Sequence, residues 1–104
     1  MSTEATVVAL CTDLMDRSKL TAALPDAKLV RSFAALTEAT DETTVALVDL
    51  RRVDDPELLA DVPGRVIAFG SHVDEDSLDA AGAAGADALP RSVFFRRLGD
   101  GSLI

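Results

Sequence analysis

Thr43-Thr44-Val45-Ala46-Leu47-Val48-Asp49 is the stretch whose reading decides the fold. From Val45 to Val48 every residue is apolar, and the run closes on an acid. Side chains along a strand point alternately to opposite faces, so an unbroken apolar run belongs to a strand covered on both sides. Outward from it, Thr6-Val7-Val8-Ala9-Leu10-Cys11 has the same character, as does Arg65-Val66-Ile67-Ala68-Phe69 after the Pro63-Gly64 break. Lys28-Leu29-Val30-Arg31 and Ala86-Asp87-Ala88-Leu89 read as two shorter strands.

Helical segments lie between them. Asp13 can cap a helix through about Leu24, with Leu14, Leu20, Ala23 and Leu24 as its apolar stripe, and Pro25-Asp26 stops it. Ser32 caps a second, Phe33 to Ala39. Asp55-Pro56-Glu57 opens a short third, with proline at the first helical position. Asp74-Glu75-Asp76 places acid at the start of a fourth, which runs to about Ala84 and closes at Gly85. Ser92 starts a last helix through about Leu98. Strict alternation of strand and helix predicts parallel strands joined by right-handed crossovers. The expected architecture is a three-layer, doubly wound α/β sheet of five strands in the order 2-1-3-4-5, one domain over residues 1–104.

Composition narrows the function. The apolar share of 48% suffices for one core in 104 residues. There is no Trp and no Tyr, which argues against base-stacking modules. A formal net charge of −8 makes nucleic acid and anionic membrane surfaces poor partners, so neither is expected. One Cys excludes an internal disulfide and a structural zinc site, and one His, His72, excludes catalysis by a His pair. Cys11, flanked by apolar neighbours, reads as a buried core cysteine. No apolar run approaches the roughly 20 residues that span a bilayer. The opening residues lack the basic region of a signal peptide, so a cytoplasmic protein is expected.

Doubly wound sheets place their sites at the carboxyl ends of the strands. Thr12, Asp13, Asp49, Gly70, Ser71, Pro90 and Arg91 are expected there. This set resembles the phospho-receiver domain of two-component response regulators over nearly the whole chain. Val45-Ala46-Leu47-Val48-Asp49-Leu50 is similar to the strand carrying the phospho-accepting aspartate, and Ala81-Gly82-Ala83-Ala84-Gly85-Ala86-Asp87 to the segment before receiver strand 5. The departures point to a degenerate, or pseudo-, receiver. The family's acidic pair after strand 1 reads Thr12-Asp13, with Asp16 a turn further on as a possible substitute. Leu50-Arg51-Arg52-Val53 replaces the usual Met-Pro, and reads as a solvated charged loop together with Asp54-Asp55. Gly70 takes the switch position with Ser71 one place late, and Pro90-Arg91-Ser92 replaces Lys-Pro.

The resemblance implies a phospho-acceptor candidate at Asp49, with Asp13 and Asp49 as candidate ligands of a weakly held Mg²⁺; no cofactor is required. Two carboxylates at short range need a cation, so Arg91 is expected to point toward them. Phe94, Phe95 and Leu98 cannot all face inward from one short helix, which predicts an exposed apolar patch. The leading reading is therefore a non-enzymatic, stand-alone pseudo-receiver. It would bind a protein partner or a second copy through its fourth helix, fifth strand and last helix. The alternative is a phosphorylatable single-domain response regulator with Asp49 as acceptor. A flavodoxin-type ligand-binding domain ranks below both, because no aromatic ring is placed to sandwich a flavin.

Overall fold

A computed structural model of the protein describes residues 6–104. The reading of the chain's start as free of a leader falls partly on residues 1–5, which lie outside them. Five strands form one all-parallel sheet in the order β2-β1-β3-β4-β5. They are β1 (Thr6–Leu10), β2 (Lys28–Val30), β3 (Thr44–Asp49), β4 (Arg65–Gly70) and β5 (Asp87–Pro90). The expected order is the observed one, and the fold is flavodoxin-like α/β. β3 is buried from end to end between β1 and β4.

Side-chain alternation divides the core in two. Val8, Leu10, Ala46, Val48, Val66 and Ala68 pack on one face. That face is covered by helices α2 (Phe33–Ala39) and α3 (Glu75–Ala83) through Leu36 and Ala81. Ala9, Cys11, Val45, Leu47, Ile67 and Phe69 pack on the other. There α1 (Leu14–Ala23) and α4 (Arg91–Asp100) contribute Leu20, Phe94 and Leu98.

The crossover from β3 to β4 departs from the expected third helix. It is two 3-10 turns, Leu50–Arg52 and Pro56–Asp61, that bury Leu50, Val53, Leu59 and Val62. Pro56 opens the second turn and Pro63 follows it, and i to i+3 bonds such as Val53 N to Leu50 O and Leu58 N to Asp55 O close the turns. The fourth predicted helix is thus α3 and the last is α4.

Gly85 and Gly64 make turns at positive φ, which other residues adopt only with strain. Gly85, at φ +99°, ends α3 in a Schellman motif, with Ala86 N bonded to Ala81 O and Gly85 N to Gly82 O. Gly64, at φ +81°, sits before β4, where a Cβ would strike the carbonyl oxygens of Thr44 and Asp41. Among the described residues, no helix is long and apolar enough to cross a membrane.

α4 is longer than expected and faces differently. Phe94 and Leu98 are buried, so they belong to the core and are unavailable as a contact surface. The two lie one helical turn apart, which lets both point at the sheet while Phe95 sits to one side. Phe95 is half-buried, edge-on to Phe69 and Phe94, with Lys19 Nζ 5.0 Å and the Arg91 guanidinium 4.8 Å from its ring centre. The tail residue Leu103 folds back into the same core.

Candidate functional site

Two aspartates are sealed at the carboxyl edge of the sheet. Asp49 ends β3 and is 1% exposed; Asp16, in the first turn of α1, is wholly buried. Ionised carboxylates at such positions need compensation, because the desolvation cost of each is several kcal/mol. Two arginines supply it. Arg91, the first residue of α4, reaches Asp16 with both terminal nitrogens, Nη1 lying 2.7 Å from Oδ2 and Nη2 bonding Oδ1. Arg51, on the first 3-10 turn, holds Asp49 through Nε at 3.1 and 3.2 Å and Nη2 at 2.8 Å. Its Nη2 also lies 3.3 Å from Asp16 Oδ2, which links the two pairs. The Arg51 amide donates to Asp49 Oδ1 at 3.0 Å, the turn that brings its side chain back over the strand end.

The result is a four-charge clasp of two carboxylates under two guanidinium forks. Planar forks match carboxylates bidentately, the geometry in which such pairs are strongest. The hydrogen bond to Asp49 raises the Arg51 pKa and that to Asp16 raises the Arg91 pKa, so both stay cationic.

Asp13 caps α1 as expected, but its carboxylate is not the one that faces Asp49. It is exposed at the N-cap of α1, where its Oδ1 accepts the Asp16 amide at 3.0 Å. That bond, first among its causes, holds the Asp13 carboxyl below its ordinary pKa. The carboxylate that faces Asp49 is therefore Asp16, and Arg91, expected to point toward Asp13 and Asp49, bonds Asp16 instead. Cys11 is buried next to them: one ligand atom each from Cys11, Asp16 and Asp49 lie within 4.8 Å of one another. Burial, above all, pushes the thiol pKa up. This donor set does not fit Mg²⁺ as it stands. Mg²⁺ takes oxygen ligands and water in a strict octahedron. All four carboxylate oxygens here already accept from guanidinium or amide N–H, and the third group is a neutral thiol.

Above the clasp opens a crevice of about 260 Å³, lined by Asp49, Arg51, Phe69, Gly70, Ser71, His72, Arg91 and Ser92. It gathers Asp49, Gly70, Ser71 and Arg91 from the predicted set. Thr12 is half-buried on the turn into α1, and Gly70 is buried at the end of β4 beside Leu50. Ser71 and His72 are exposed on the loop after it.

Asp16 and Arg51 carry more of the site than the sequence reading gave them. Asp16 had a signal: it lies four residues before Leu20 and eight before Leu24, the stripe that faces the sheet. Leu14, assigned to that stripe, is 76% exposed instead. Arg51 had only its closeness to Asp49, and the loop reading missed it.

Comparison of the chain with protein-family models, with curated proteins and with solved structures finds no match in any of the three. The class rests on the fold, a flavodoxin-like α/β domain with an arginine-clasped acidic pair at its carboxyl edge.

Proposed function

We propose that the protein is a non-catalytic interaction module, a stand-alone pseudo-receiver acting in cytoplasmic two-component signalling. One observation carries this reading: Arg51 holds Asp49, the carboxylate that the resemblance makes the phospho-acceptor, and Arg91 holds Asp16 beside it. A phospho-acceptor must offer a free carboxylate oxygen, with a divalent cation beside it to neutralise the incoming charge. Asp49 has both oxygens engaged by Arg51, whose guanidinium already neutralises its charge. The fold order and the Asp49 strand end favour receiver ancestry; the clasp favours loss of the reaction. The buried state of Phe94 and Leu98 removes most of the apolar basis for a contact through α4, which leaves the carboxyl edge as the better candidate surface.

Incubation with acetyl phosphate and Mg²⁺, followed by intact-mass spectrometry, tests the reading. The expected result is an unchanged mass. A phosphoryl adduct that disappears in Asp49→Asn would establish the alternative, a phosphorylatable response regulator.

A further inference from the structure

Charge is sorted across the sheet. Helices α1 and α4, on one face, carry Arg17, Lys19, Arg91, Arg96 and Arg97 against Asp16 and Asp100. Helices α2 and α3, on the other, carry Glu38, Glu75, Asp76 and Asp79 and no cation. Asp16 and Arg91 neutralise each other in the clasp. Among the described residues, Lys19, Arg96 and Arg97 enter no salt bridge. The other acids near α1 and α4 lie at the helix ends, at Asp13, Asp26 and Asp100, so the sides of the two helices are cationic. A chain of net charge −8 thus keeps one helical layer with unpaired positive charge.

A groove opens between these two helices. Lys19, Ala22 and Ala23 of α1 and Phe95, Leu98 and Gly99 of α4 enclose about 360 Å³. Ala22, Ala23 and Gly99 are exposed and too small to fill the space between the helices. Phe95, half-buried, gives the groove an aromatic wall, and Lys19 sets its ammonium 5.0 Å from the centre of that ring. No carboxylate lines it. Apolar surface edged by unpaired cations fits an apolar side chain with acids beside it. The walls also decide the backbone of the occupant. The flank of a helix offers no free N–H or C=O, so an extended segment laid there finds no partners for its own; a helix brings them already paired. Low walls of Ala and Gly let a third helix approach closely.

We infer that the groove between α1 and α4 docks an acidic amphipathic helix of a partner protein, with an apolar side chain seated against Phe95 and carboxylates facing Lys19 and Arg96. Arg96 is exposed and follows Phe95, about 100° further round α4. The acids of α2 and α3 on a second copy have the right sign, but two chains of −8 repel each other, which favours a separate partner. The groove shares no lining residue with the crevice at the carboxyl edge, so docking here does not depend on the state of Asp49.

Amide NMR of the whole protein tests it. One probe is an end-blocked helical peptide of about 18 residues, long enough to hold a helix, with a leucine stripe at i, i+3, i+4 and i+7 and glutamates beside it. The other has lysines in place of the glutamates. The acidic peptide should give saturable shifts at the amides of Lys19, Ala22, Ala23, Phe95 and Gly99 and none at Ser71 or His72. The lysine peptide should not saturate. Lys19 is exposed and unpaired, so Lys19→Glu should keep the melting temperature and weaken the acidic peptide about tenfold, while Lys19→Arg retains it. Sedimentation equilibrium of the protein alone should give a monomer. Equal binding of the two peptides, shifts that map to Ser71 and His72, no saturation, or full affinity in Lys19→Glu would each overturn the inference. So would self-association, or binding to phosphatidylglycerol vesicles, that Lys19→Glu abolishes, since either gives the groove a different occupant. An adduct on Asp49 in the acetyl phosphate experiment would overturn the pseudo-receiver reading alone and leave the groove shifts unchanged.

Discussion

Asp16 is held chiefly by Arg91, which bonds both of its oxygens. With Arg91 removed, a fully buried carboxylate keeps only Arg51 Nη2, at 3.3 Å. Removing one member of a buried pair typically costs 3–5 kcal/mol, because the survivor is left charged and unpaired. Arg91 is 39% exposed, so solvent softens the loss. Arg91→Ala should therefore destabilise the protein by about 3 kcal/mol in urea unfolding. Asp16→Ala/Arg91→Ala together should cost less than the two single changes summed, the signature of direct coupling. Cys11 gives a second test at this scale. The thiolate is the reactive form, and burial raises the thiol pKa. A thiol-specific reagent at neutral pH should leave Cys11 unlabelled in the native protein and label it fully in denaturant. Rapid native labelling would mean that the β1 end is open to solvent.

The elements make their own demands on single positions, and three glycines separate them. Gly64 combines φ +81° with backbone oxygens in the space of a Cβ, including Asp41 O at 2.7 Å. Gly64→Ala should cost at least about 2–3 kcal/mol, since the turn before β4 must rebuild. Gly85 has φ +99° but open space around it, so Gly85→Ala should cost only the left-handed penalty of about 1–2 kcal/mol. Gly82 lies within α3 with no atom near its Cβ position, and Gly82→Ala should stabilise by about 0.5–1 kcal/mol. Thermal melts of the three variants check that order. Elements of this kind were largely legible in the sequence. Continuous apolar runs at Val7–Leu10 and Val45–Val48 mark buried strands, and the caps Asp13, Ser32 and Asp74 all accept helix amides as their residue types suggest. What the sequence hid was direction. Asp13 and Asp16 are both acids near the end of β1, and only the turn of α1 decides that Asp16 faces the sheet while Asp13 caps the helix. In the same way, Phe94 and Phe95 are chemically alike, and one helical step places the first against Phe69 and the second at the rim.

At the scale of the whole molecule, the sheet and its two helical layers serve to bring four charges from distant parts of the chain to one edge. Asp16 and Arg91 are 75 residues apart and meet only because β1 and β5 run parallel, with α1 and α4 on the same face. If the protein is the pseudo-receiver we propose, this clasp does the work of a metal ion and leaves no Mg²⁺ site at Asp49. Melting temperature against Mg²⁺ concentration tests that claim most directly. A ligand that binds only the folded state stabilises it by about 2.7 kcal/mol at a hundredfold excess over its dissociation constant. For a domain of this size each kcal/mol raises the melting temperature by about 4–8 °C. Asp49→Asn at the same ionic strength controls for diffuse binding to the acidic surface. Mg²⁺ at tens of millimolar should move the wild type and Asp49→Asn equally, by no more than matched ionic strength does. A saturable rise of several degrees in the wild type, absent from Asp49→Asn, would contradict it.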